Sequence, residues 1–437
     1  MSRRLLLILA PFLLPAFLGA APDADNTFML RGATIHTMAG AAIPNGSVLV
    51  RDGKIIGVGT NLAVPKGVRV IDGKGLQVYP GMIDAATEIG LEEVHGVPVT
   101  MDITELGKFN PELVALTAVN PSSEHIPVTR ANGITSVVTM PQGQLISGQV
   151  SLIHLNGWTT DEMGIKPRAG LHIKIPAVQQ PRGGFTPDNA DAPAGQPSAY
   201  ATAKKNAETE MAELNTFFES ARRYKQARDA KMPGFVRDLK LEAMIPVIEG
   251  KEPILVTAVR EREIRDALAF ADKQKVKIIL LDAAEAYKVT KEIKEHNVPV
   301  ILGHILALPQ HEDDPYDRAF TTPAELQKAG ILFSLGTLDG TGDTLNSRNL
   351  PYEAAQAVAF GLPEEDAMKA ITTNAAQIWG VGDLMGTIEE GKLADLLVTD
   401  GDPLEAPTQV KMMFIQGKPV DLDNKQKRLY EKYLARP

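Results

Sequence analysis

Two patterns of apolar and polar positions divide the chain. Residues 28–60, FMLRGATIHTMAGAAIPNGSVLVRDGKIIGVGT, hold short β-rich runs separated by Asn45-Gly46 and Asp52-Gly53. Such pairs favour hairpin turns because both residues tolerate a left-handed backbone. The style continues in 67–79 and returns at 393–404, LADLLVTDGDPL, and 411–420, KMMFIQGKPV. Two β-rich ends around a long middle predict a small composite sheet domain from residues 22–78 plus 387–437. The middle, 79–386, alternates short apolar runs with amphipathic stretches. The runs predict strands at 78–85, 134–140, 150–155, 170–175, 253–259, 277–282, 298–304 and 331–337. Helices are predicted at 200–229, 260–274, 284–296, 323–329, 351–360 and 364–379. In 260–274, Ile264, Leu268 and Ala271 fall on one face among charged residues, the spacing of a surface helix. Pro363 before Glu364, Glu365 and Asp366 suits a helix start, where the positive end of the dipole favours acids. Strands buried on both faces and alternating with helices imply a parallel sheet covered outside. Eight of them predict an α/β fold, a (β/α)8 TIM-like barrel with a small β-sandwich built from both chain ends. Residues 177–199 are rich in Pro, Gly, Asp and Ala without a period, and read as a loop insertion after the fourth strand.

The first residues change the picture of where the protein works. Arg3 and Arg4 precede an apolar run from Leu5 to Leu18 that Pro11 and Pro15 interrupt, followed by small residues. This reads as a signal peptide over 1–21, hence export to the periplasm or the medium. The alternative is an uncleaved N-terminal anchor. No later stretch of the mature chain is long and apolar enough to span a membrane. The chain has no cysteine, which excludes thiol nucleophiles and disulfides. Its net charge of −9 speaks against a nucleic-acid partner, which needs a basic face. A chain of 437 residues can build a core large enough to do without disulfides. No G-x-S-x-G turn or phosphate-cradling glycine loop is present.

Three segments carry a resemblance. VLVRDGKIIGVG followed by GLQVYPGMIDA is similar to the opening of amidohydrolase-superfamily proteins. GITSVVTMPQGQLISGQ sits where their second strand lies. GTIEEGKLADLLV, within 350–404, is similar to their closing stretch. The chain most resembles the secreted imidazolonepropionase-like amidohydrolases. The resemblance implies a barrel with a split β-sandwich, and hydrolysis of C–N bonds other than peptide bonds by a metal-activated water. A divalent metal makes water a nucleophile at neutral pH, and it needs several ligands converging on one point.

The positions that the resemblance assigns to those ligands hold other residues. Asp84, Ala86 and Glu88 stand where the family has Asp-x-His-x-His. Thr257 and Ala258 stand at the fifth strand's histidine, and Asp282 and Ala283 at the sixth's. Lys174 stands on the strand that can carry a carboxylated bridging lysine, its direction left open by alternation. Asp339, in ILFSLGTLDG, corresponds to the eighth-strand aspartate that takes the water's proton, so it is the candidate catalytic residue. The resemblance thus assigns no metal ligand that this chain retains, and no cofactor is expected. A divalent metal, Zn or Mn, enters only if Glu88, Asp282, His304 and Asp339 rebuild a site. Each has a plainer reading: a lysine partner for Glu88, a helix cap for Asp282, a turn cap for Asp339 and a hydrogen-bonded core histidine for His304. His172 alternates with Lys174 and is able to face the barrel. His311 sits beside Glu312, Asp313 and Asp314 in an acidic loop.

Two functions follow. One is a hydrolase of non-peptide C–N bonds, with Asp339 as general base and Glu88 or Asp282 assisting. The other is a catalytically inactive relative that binds a small ligand or pairs with an active paralogue. Partners are then a small-molecule substrate or ligand, and either a second copy or a homologous amidohydrolase.

Overall fold

The computed structural model describes residues 26–178, 199–338 and 344–436. The segment read as a signal peptide, most of the 177–199 stretch read as an insertion, and Asp339 lie outside the described residues.

The N-terminal strands are β1 (Phe28–Ile35), β2 (Ile43–Arg51), β3 (Lys54–Gly59), β4 (Arg69–Asp72) and β5 (Gln77–Pro80). The Asp52-Gly53 pair turns β2 into β3, with φ of 49° and 76°, as a hairpin turn of this kind requires. The barrel follows: β6 (Met82–Thr87), β7 (Ile134–Thr139), β8 (Ile146–His154), β9 (Gly164–Lys174), β10 (Ile254–Ala258), β11 (Ile278–Asp282), β12 (Val300–Leu302) and β13 (Phe333–Leu335). The chain ends with β14 (Leu396–Thr399), β15 (Val410–Ile415) and β16 (Lys418–Pro419). One sheet has the order β16-β15-β14-β5-β1-β2-β3, with β4 on β1, so both chain ends build it. The other runs β13-β12-β11-β10-β9-β8-β7-β6. Its two ends meet where Leu338 N–H donates to the Ala86 carbonyl at 3.1 Å. A Cβ at Gly336 would lie 2.9 Å from Ala86 N, so this seam closes only around a glycine.

The barrel and end-built sheet are as expected from the sequence, with one strand departing from an all-parallel arrangement. β8 is antiparallel to both β7 and β9. The reason is covalent reach: residues 140–145 are too few to cross over and re-enter the sheet in parallel. Two predicted helices are also broken. The 364–379 stretch forms Glu364–Ala370 and Thr373–Ile378. The break at Ile371 frees its carbonyl to accept Ile83 N–H at 2.8 Å, tying the helix layer to β6. The 284–296 stretch is a 3-10 turn, Ala286–Lys288, and a short helix, Thr290–Glu295.

Side-chain alternation sorts the strands into two cores. Ile83, Val138, Leu152, Leu255, Leu281 and Ile301 pack together inside the barrel with Trp379, whose indole N–H donates to the Ala85 carbonyl at 3.1 Å. Met82, Val137, Ile153, Val256, Leu280 and Leu302 face the helices. A third cluster, including Phe28, Val48, Ile55 and Phe414, fills the end-built sheet. No described helix is long and apolar enough to cross a membrane.

Candidate active site

The C-terminal ends of the barrel strands are where a barrel of this type places its chemistry. Alternation decides which of the candidate residues meet there. Leu171, Ile173 and Ile175 pack outward, so His172 and Lys174 face inward. Leu255 is inward, and so is Thr257 two residues on. Asp282 ends β11 and His304 follows β12, and a Cβ on the intervening Gly303 would lie 3.2 Å from Asp282 Oδ1.

The inward set is tightly bonded. His172 is fully buried, with Nδ1 at 2.9 Å from the Pro141 carbonyl and Nε2 at 2.8 Å from Thr257 Oγ1. A carbonyl only accepts, so Nδ1 carries the proton. Burial, with the Lys174 charge adding to it, pushes the imidazole down to about 3. The ring is therefore neutral, and Nε2 accepts from the Thr257 hydroxyl. Asp84 is fully buried and spans the seam. It accepts from Ala86 N at 3.2 Å, from Thr337 N at 3.1 Å and from the Thr337 hydroxyl at 2.5 Å. Thr337 Oγ1 also lies 3.0 Å from Ser347 Oγ, which is 2.6 Å from Thr87 Oγ1. Burial raises the Asp84 carboxyl to about 7 despite these donors.

Asp282 and His304 share a cleft. Asp282, Gly303, His304, Gln310, Arg318 and Thr322 line a cavity of about 50 Å³, room for a few waters. His304 Nδ1–H donates to Glu353 Oε1 at 2.6 Å, and the Ile305 N–H donates to the other carboxylate oxygen at 3.0 Å. Glu353 comes from helix Leu350–Ala359 and is fully buried. This fixes the imidazole's orientation, as a buried carboxylate does for a general base. Burial, with the Glu263 charge adding to it, raises Asp282 to about 6. Asp282 and Ala283 both take left-handed backbone, at φ of 71° and 41°. Such strain costs about 1–3 kcal/mol per residue and collects at functional sites.

Of the four residues considered for a rebuilt metal site, Asp282 and His304 line one cleft, and Asp339 lies outside the described residues. Ala86, Thr257 and Ala283 stand at the positions that the resemblance gives to ligands, and none of them supplies an imidazole or carboxylate. Among the described residues no group of three or more His, Asp or Glu side chains is placed to hold a metal ion. His172 has both ring nitrogens engaged and Asp84 both oxygens. The residues present therefore do not fit the metal centre that the resemblance implies.

Each of the eight histidines has a protein acceptor or hydroxyl within hydrogen-bond distance. The His311 ring, for example, bonds Glu285 at 2.6 Å, while its backbone N–H donates to Asp314 Oδ2 at 3.0 Å. His296 bonds the Glu292 carbonyl and Asp272, and the carbonyl foremost raises it. Sequence reasoning missed Glu353, Thr337 and Ser347. Their residue types match no motif, and only tertiary contact brings them to Asp84 and His304.

The model of the "Amidohydrolase family" matches residues 261–420. The chain is similar to the amidohydrolase tasK of Hapsidospora irregularis, at 23% identity over 84% of this chain and 39% of that one. It therefore spans about two fifths of that relative's length. It is also similar to an imidazolonepropionase of Symbiobacterium thermophilum, at 22% identity over 86% and 88% of the two chains. Among solved structures, an amidohydrolase from Thermotoga maritima MSB8 superposes with a TM-score of 0.78, at 27% identity over 90% of this chain and 99% of that one. The match over residues 261–420, the likeness along most of the chain and the shared fold make this protein similar to amidohydrolases.

Proposed function

We propose that this protein is an exported amidohydrolase-like hydrolase of non-peptide C–N bonds whose metal site has degenerated. One observation carries the catalytic part: Asp282, a half-buried carboxyl raised to about 6, shares a cleft with an imidazole oriented by a buried carboxylate, His304 on Glu353. Such a pair supplies an acid and a base at one place near pH 7. In the reaction, water oxygen bonds to the acyl carbon while a base takes its proton. The C–N bond then breaks, and the nitrogen leaves with a proton from an acid. Asp339 is the proposed base, and Asp282 or Glu88 assists. His304 holds its ring ready to move a proton at Nε2, and Arg318 on the cleft wall offers charge to a developing oxyanion.

The inward residues favour a second reading, a non-catalytic relative that binds a small ligand or pairs with an active homologue. Ala86, Thr257 and Ala283 stand at the family's ligand positions, and Asp84 and His172 are engaged by their neighbours. Hydrolysis of a panel of cyclic and N-acyl amides by wild type, Asp339→Ala and Asp282→Asn separates the readings. The first expects a loss of about 10²-fold or more in kcat for each variant. Equal rates in all three proteins would leave only the second. Elemental analysis of the purified protein tests the degenerate site, and stoichiometric zinc would overturn it.

A further inference from the structure

Helix Lys425–Leu434 leaves an apolar face in solvent. It has ten residues and none of them is buried, whereas helix Glu261–Gln274 buries six. Its start is tied to the body of the protein. The buried Asn424 caps it, accepting from Gln426 N and Lys427 N at 3.0 Å each, and Lys427 Nζ donates to the Leu422 carbonyl at 3.0 Å. The rest lies in water, with Tyr430 67% and Leu434 69% exposed. A helix this short is marginal in water unless something packs on it.

The helical repeat sorts its residues by chemistry. Leu429, Tyr433, Tyr430 and Leu434 fall on an arc of about 140°, with Gln426 its one polar member. Lys427 stands just beyond the Leu434 edge, Lys425 just beyond the Leu429 edge, and Glu431 away from the arc. The Lys432 ammonium and the Arg436 guanidinium lie 6.0 and 4.7 Å from the centre of the Tyr433 ring, so two more cations border the apolar face. Residues 425–436 carry five cations against one acid, in a chain whose net charge is −9. Among the described residues only Arg428 of the five has an ion-pair partner, Asp423 at 2.6 Å. An apolar arc bordered by cations fits a surface that is anionic at its rim and apolar below, the headgroup layer of a bilayer. Tyrosine suits that depth, with its ring among acyl chains and its hydroxyl among headgroups. A second copy fits less well, because a two-fold contact sets each helix against its own image, five cations against five.

We propose that helix Lys425–Leu434 docks the protein on the surface of an anionic phospholipid bilayer. It lies in the plane of the interface, with Leu429, Tyr430, Tyr433 and Leu434 among the acyl chains and Lys425, Lys427, Lys432 and Arg436 at the headgroup phosphates. Such binding is peripheral and reversible, and it needs both the apolar area and the opposite charge. It holds whether or not the barrel hydrolyses C–N bonds.

The test mixes the soluble protein recovered after export with vesicles of phosphatidylcholine alone, or of phosphatidylcholine and phosphatidylglycerol in equal parts. Co-sedimentation gives the bound fraction, and mass spectrometry follows amide hydrogen exchange in residues 425–434. Binding to the anionic vesicles is expected to be at least about tenfold tighter, since each basic residue at such a surface contributes about fivefold. The helix amides should exchange at least about tenfold more slowly on those vesicles alone. The double variants Tyr430→Gln/Leu434→Gln and Lys425→Gln/Lys432→Gln should each lose at least about tenfold in binding. Their urea midpoints should not move, since none of these side chains is buried. Residues 1–25 are the same in all three proteins, so the differences report the helix. Equal binding to both kinds of vesicle, variants that bind as well as wild type, or helix amides that exchange no more slowly on anionic vesicles overturn the proposal. So does a dimer, seen by sedimentation, that Tyr430→Gln/Leu434→Gln dissociates, because the face then belongs to a second copy.

Discussion

Asp84 is the residue where environment and identity pull hardest against each other. Its carboxyl is lifted from 3.8 to about 7 on folding, chiefly by burial. The folded state therefore holds the proton more tightly than the unfolded chain does. The resulting stability is full below about pH 4 and is lost as pH rises through 7, on the order of 4 kcal/mol in all. Asp84→Asn has no proton to lose. Urea unfolding of both proteins across this window should show wild type falling relative to the variant as pH rises, and parallel curves would contradict it. Thr337 supplies the hydroxyl that bonds Asp84. Thr337→Val leaves that oxygen short of a donor and should cost about 1–3 kcal/mol at pH 8, read as a lower urea midpoint with unchanged slope. The positions of Asp84 and His172 were legible in the sequence, but their partners were not. Thr337 lies 253 residues from Asp84 and Thr257 lies 85 from His172, and no periodicity connects such distances.

At the scale of elements, strand and helix existence followed from apolar pattern, whereas side-chain direction did not. A one-residue step on a strand moves a side chain from the barrel interior to the helix layer. That step is why His172 and Lys174 turn inward while Leu171 and Ile173 pack against the helices. The reversal of β8 was implicit in a short connection, since hairpins need few residues and crossovers a dozen or more. The split of the 364–379 helix was not, because it rests on the Ile371 carbonyl meeting Ile83. Trp379 shows how the helix layer closes the barrel. It follows helix Thr373–Ile378, is 1% exposed and packs with the inner core. Trp379→Ala should destabilise the protein by about 3–5 kcal/mol through loss of packing, measured by denaturant unfolding. Trp158 is 91% exposed, so the buried, blue-shifted part of the tryptophan emission should vanish in the same variant.

For the molecule as a whole, the question is what couples the end-built sheet to the barrel. One tie is polar and buried: His154 at the end of β8 donates through Nε2 to Asp395 Oδ2 at 3.0 Å. Asp395, just before β14, also accepts from Gln416 N at 2.8 Å through its other oxygen. Asp395→Ala strands both donors in a site excluded from water, and should cost about 3–5 kcal/mol. It should also speed amide hydrogen exchange in β14 and β15 more than in β10 or β11. Equal exchange changes in both sheets would mean that the tie stabilises the protein without joining its parts.

The sequence by itself determined the class of fold, the two-ended sheet and the residue types at the strand tips. These depend on local apolar period, turn residues and side-chain chemistry, all of which are written along the chain. Tertiary structure alone decided that Asp282 and His304 share one cleft and that His172 meets Thr257. It also decided that Glu353 orients His304 and that Asp84 is held near neutrality. Those outcomes arise from barrel closure, which fixes strand rotation and removes water from some carboxyls and not others. Neither the rotation nor the loss of solvent is a property of any short stretch of sequence.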